Sequence, residues 1–147
     1  MKLETITGNI LTYFSTNFGT YIAAEGATIP TPTKYLEGDV DVLLGNDVNF
    51  ILCVDEILFN ELENSADLLD IGCTIFIIFK LKMKQSDANK IVKQYANALY
   101  SLICNDNSIG NAVDYSKINK IEFYEVTETT QNNTKIMACD IRFYKEI

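Results

Sequence analysis

The sequence predicts an α+β fold: an antiparallel sheet of about four strands, with an N-terminal helix and a central helix packed on one face. Three observations predict it. Apolar residues recur every three or four positions near the N-terminus and again after Ser86. They recur every second position through residues 72–84. Two alternating runs joined by "TETTQNNT" then close the chain as a hairpin. The order is helix, long loop, strand, strand, helix, hairpin. At 147 residues the chain reads as one domain, residues 1–147.

The elements follow in turn. Leu3, Ile6, Ile10, Phe14, Phe18, Tyr21 and Ile22 form one helical stripe over residues 3–24. Gly8 and the threonines weaken that helix, and Gly19 is a candidate early end. "GATIPTPTKY" is a loop, because two prolines two positions apart block both a helix and a central strand. It continues to about residue 47, with Val40, Val42 and Leu44 alternating as a candidate short edge strand. "VNFILCV", residues 48–54, is a strand. The acidic stretch that follows, "DEILFNELENSADLLDIG", is expected to project from the domain as a loop or short helical turn.

Residues 72–84 are expected to be the longest strand. Cys73, Ile75, Ile77, Phe79, Leu81 and Met83 share one face. Thr74, Phe76, Ile78, Lys80, Lys82 and Lys84 share the other. An exposed sheet face is normally polar, so Phe76 and Ile78 need cover from the chain or from a partner subunit. Ser86 is the expected N-cap of a helix to about Cys104, with Asp87 in its first turn. Ala88, Ile91, Val92, Tyr95, Leu99, Leu102 and Ile103 make its buried stripe, while Lys90 and Lys93 face away. In the final strand Met137, Cys139, Ile141 and Phe143 share one face, and Asp140, Arg142 and Tyr144 the other.

Composition excludes several functions. There is no run of about 18 apolar residues to span a membrane. The N-terminus does not read as a signal peptide. A net charge of −8 argues against a specific nucleic-acid partner. With no histidine a Cys/His zinc site is excluded and the commonest general base is missing, and the four cysteines have none of the usual local spacing of a Cys₄ site. Cys53, Cys73, Cys104 and Cys139 all lie in apolar segments and read as small hydrophobes. No phosphate-binding glycine loop or nucleophile elbow is present. Asp39 and Asp41, with Asp55 and Glu56, are oxygen ligands of the kind Mg²⁺ or Ca²⁺ takes, though without EF-hand spacing. The expectation is no catalytic residue, no metal and no cofactor.

Charge is unevenly distributed. Residues 1–79 hold twelve acids against two lysines, and residues 80–147 hold eight acids against ten bases. One reading is two solvated surfaces. The other is that the acidic half of one molecule meets the basic half of the next.

The segment "QSDANKIVKQYANALYSLICNDNSIGNAV" resembles the helix and Asp-x-x-(Leu/Ile)-Gly loop of the tail-terminator and tail-completion proteins in tailed-bacteriophage necks. The loop residues here are Asp106, Asn107, Ser108, Ile109 and Gly110. The hairpin "KIEFYEV…KIMACDIRFY" resembles their closing strands, and the element order extends the likeness over most of the chain. The acidic stretch 55–71 is longer than the family's usual strand connection.

The resemblance implies a non-enzymatic ring subunit, commonly hexameric, that ends the tail tube and docks the head. Its implied partners are itself, the tail tube protein and the head–tail connector or head-closure proteins. The implied location is the virion neck, assembled in the bacterial cytoplasm. A head-closure or sheath-end adaptor and a non-viral monomeric binding domain are the alternatives. A ring needs two different complementary patches. The expected intersubunit residues are Phe76, Ile78, Lys80, Lys82, Lys84, Lys90 and Lys93 against Asp39, Asp41, Asp55 and Glu56. The alternative for the lysines is a solvated edge that deters unwanted pairing.

Overall fold

The computed structural model describes residues 2–38, 48–61, 67–80, 83–129 and 132–147. Among the described residues, two helices cover one face of a five-stranded mixed sheet. The elements are α1 (Leu3–Glu25), β1 (Lys34–Glu37), β2 (Val48–Glu61), β3 (Asp67–Phe79), α2 (Gln85–Asn105), β4 (Tyr115–Thr129) and β5 (Asn132–Glu146). The strand order is β1-β2-β3-β5-β4, with β1 parallel to β2 and every other pair antiparallel.

α1 forms because Ile6, Ile10, Phe14, Phe18 and Ile22 recur every fourth residue and are all buried. Its Thr7, Thr16 and Asn17 side chains donate back to carbonyls four residues earlier, so their polar groups are satisfied within the helix. Gly19 does not end it. A side chain there would meet only Thr31 at 3.7 Å, and the helix runs on to Glu25. α2 buries Ala88, Val92, Tyr95, Leu99, Leu102 and Ile103 as expected, but its N-cap is Lys84 rather than Ser86.

Between helices and sheet lies the main core. Phe50 sits at its centre, with the rings of Tyr35, Phe14 and Phe18 at 5.0, 5.1 and 5.7 Å. Truncating such a residue to alanine costs about 3–5 kcal/mol. Ile75, Ile77 and Phe79 of β3 and Met137, Cys139, Ile141 and Phe143 of β5 point into the same layer.

Four expectations are corrected. The sheet has five strands, because "KYLE" just after the prolines pairs in parallel with Asn49–Leu52. The acidic stretch is not a projecting loop: β2 continues to Glu61 and pairs with β3 from Asp67 onward. A bulge between Val54 and Glu56 shifts the alternation by one residue, which breaks the two-residue period at that point. β3 ends at Phe79, so Lys80 and Lys84 leave the strand and lie in its connection to α2. Finally, Cys104 is exposed, while Cys53, Cys73 and Cys139 are buried. The expected edge strand around Val40–Leu44 lies outside the described residues.

Candidate docking face

The sheet face turned away from the helices is the candidate site. The bulge in β2 builds it by aiming two consecutive carboxylates the same way. Asp55 accepts a hydrogen bond from Thr74 Oγ1 at 2.6 Å, and Glu56 accepts from Arg142 Nη1 at 2.9 Å. Thr74 and Arg142 both face away from the helices, so Asp55 and Glu56 do as well.

At one end of this face Arg142 forms a clamp. Its Nε donates to Asp70 Oδ1 at 2.6 Å and its Nη1 bridges to Glu56. The bond to Asp70, reinforced by Glu56, pushes the guanidinium pKa further up. Gly72 makes room for it. A Cβ at that position would stand 2.8 Å from Arg142 Nη1 and 3.0 Å from Glu56 Cγ. Tyr144 continues the row and stacks on Tyr115 with ring centroids 4.4 Å apart.

In the middle lies a shallow concavity of about 400 Å³, lined by Asp55, Thr74, Phe76, Tyr124, Asp140 and Arg142 among others. On its β4 side Glu122 is bonded to Lys120 at 2.7 Å and to the Tyr124 hydroxyl. Those partners, Lys120 foremost, lower the Glu122 pKa. At the far end Ile51, Cys53 and Ile78 form a second small core with Phe76 and Ile136 against it.

The expected interface residues separate accordingly. Phe76, Asp55 and Glu56 lie on this one face. Ile78 does not serve, because at 7% exposure it is already covered within the chain. Lys84, Lys90 and Lys93 are exposed at and along α2, on the opposite side of the sheet. Lys80 is half-buried after β3. Asp39, Asp41 and Lys82 lie outside the described residues.

The division into an acidic and a basic half does not survive folding intact. β3 and β5 are neighbours, so Arg142 from the second half is neutralised by Asp70 and Glu56 from the first. Sequence reading missed that clamp, and with it Asp140 and Tyr124. The signal was present in "CDIRFY", where Asp140, Arg142 and Tyr144 share a face with charge and no apolar cover.

The Asp106–Gly110 loop has a structural role. Asp106 accepts from Ser108 Oγ at 2.6 Å and from the Gly110 amide at 3.0 Å, and these bonds, that to Ser108 foremost, lower its pKa. Ile109 is fully buried. Gly110, at φ +60°, lies against the Tyr13 ring, where a Cβ would come within 2.6 Å of Cδ2. Burial, with a contribution from Asp106, raises the Tyr13 pKa to about 12.

Among the described residues no three His, Cys, Asp or Glu side chains are arranged to hold a metal ion. Among the described residues no helix is long and apolar enough to cross a membrane. The face presents fixed charges together with the rings of Phe76, Tyr124, Tyr144 and Tyr115. No protein-family model matches the chain, and no curated protein matches it.

Proposed function

We propose that the chain is a structural subunit of a tailed-phage neck, a terminator-like protein that assembles with copies of itself into a ring at the end of the tail tube. The observation that carries this reading is the two-sidedness of the fold. A concave acidic and aromatic sheet face stands opposite a lysine-bearing helix layer. A cyclic assembly joins unlike patches on successive subunits, and a chain with two unlike and complementary sides is suited to that. The sequence resemblance supplies the setting: tube below, head connector above, no catalysis.

A monomeric binding domain outside any virus is the second reading. The concavity favours it, since about 400 Å³ also suits a small cationic group. Sedimentation velocity and electron microscopy of the purified protein, with and without tail tubes, separate the two. Rings that cap tube ends are expected. A monomer at high concentration that leaves tube ends bare would overturn the neck assignment. Its position within the neck, terminator or head-closure adaptor, is read from where it sits in imaged particles.

A further inference from the structure

We propose that the acidic concavity of one copy receives the outer side of α2 from a second copy, head to tail. The inference rests on the ring reading and specifies the two surfaces that meet.

The concavity selects for a cation. Asp55 and Asp140 flank Thr74, which donates to Asp55 and lies directly opposite Asp140 in the β3–β5 register. Neighbouring carboxylates are already answered: Glu122 by Lys120, Glu56 and Asp70 by Arg142. Asp140 makes no hydrogen bond or salt bridge among the described residues, and Asp55 receives a neutral hydroxyl there. Asp140 shares Lys120, opposite it in the β4–β5 register, with Glu122, and Asp55 has no cationic partner among the described residues, so negative charge remains beside the rings of Phe76 and Tyr124. An ammonium or guanidinium group satisfies both features, by charge-assisted hydrogen bonds and by contact with the ring faces.

The matching surface is on the other side of the same molecule. Lys84, Lys90 and Lys93 are exposed and form no ion pair among the described residues; the exposed Asp87 lies three residues from both Lys84 and Lys90, so the surface is net basic, three cations against one carboxylate. Lys90 and Lys93, three residues apart, are neighbours on one helix face. Tyr100, two turns beyond Lys93 on that side, is 60% exposed and adds an apolar contact. Because α2 packs against the opposite sheet face, the two patches point apart and cannot neutralise each other within one copy. Between copies they can. Each contact leaves one acidic and one basic patch unused at the ends, so the contact propagates until it closes.

The test is a pair of charge-reversed variants, K90E/K93E and D55K/D140K, studied alone and mixed by sedimentation velocity at low and high salt. Each alone is expected to weaken assembly at least about ten-fold, because like charges then face each other. The equimolar mixture is expected to reassemble in alternation, since the reversed face of one variant meets the reversed helix of the other, and the two unaltered patches meet in turn. Circular dichroism and melting confirm that both are folded. Should D55K/D140K not fold, D140N paired with K90Q/K93Q carries the test, as a loss of salt dependence.

If wild type forms rings and either variant alone does so equally well, the proposal fails while the ring reading stands. Loss in one variant without rescue by the other points to a symmetric contact, and also refutes it. A wild-type protein that stays monomeric, or binds only a lysine-rich peptide, removes both.

Discussion

Replacing Arg142 by methionine isolates the clamp on the open face. The substitution keeps most of the aliphatic volume and leaves Asp70 as a carboxylate without its partner. Removing one member of a buried ion pair costs about 3–5 kcal/mol. The Arg142 and Asp70 side chains are 18% and 12% exposed, so solvent screens part of that. The expected loss is about 2–4 kcal/mol, measured by urea unfolding at neutral pH. For a chain of this size that is a fall of roughly 5–15 °C in melting temperature. Two companions test the reasoning. Glu56→Gln removes a partner that is 52% exposed and should cost less than about 1 kcal/mol. Adding Asp70→Asn to Arg142→Met removes the stranded charge and should recover about 1 kcal/mol or more. If Arg142→Met costs less than about 1 kcal/mol, or if the second substitution recovers nothing, the clamp is a surface ion pair and the argument from burial is wrong.

Two further outcomes follow from the α2–β4 loop. Gly110→Ala puts a Cβ on a left-handed residue and against the Tyr13 ring, and should cost about 2–3 kcal/mol; thermal melting unchanged within about 0.5 kcal/mol would refute it. Asp106 has a lowered folded pKa, so its ionised form stabilises the fold above the ordinary carboxylate value of about 4. That contribution is lost as pH falls through the lowered value. Asp106→Asn should therefore flatten the acid limb of stability against pH, and an unchanged limb would show that the loop is held by other bonds.

Much of the architecture was legible because period is a strong signal. The four-residue spacing from Ile6 to Ile22 and the two-residue spacing from Cys73 to Phe79 each place their element and its buried face. Reading fails where geometry departs from period. The bulge at Val54–Glu56 breaks the alternation, so the acidic residues after it look like loop although Leu69 and Ile71, opposite, continue the pattern of β3 upstream. "KYLE" is too short to show any period. The open face was half legible: Phe76, Asp55 and Glu56 are found by alternation and charge. Asp140, Tyr124 and the Arg142 clamp come from strands brought alongside only by the β3–β5 pairing, which linear order does not reveal.

The rims of the sheet carry a consequence of their own. One border is β1, four residues long; the other is β4, fifteen residues long but interrupted by irregularities at Ile118/Lys120 and Thr127/Thr129 and studded with Lys117, Lys120 and Glu122. A brief border and a kinked, charged one are both poor templates for an incoming strand. Two copies brought side by side therefore find little open backbone to pair along, and zipping into fibrils is disfavoured at both borders.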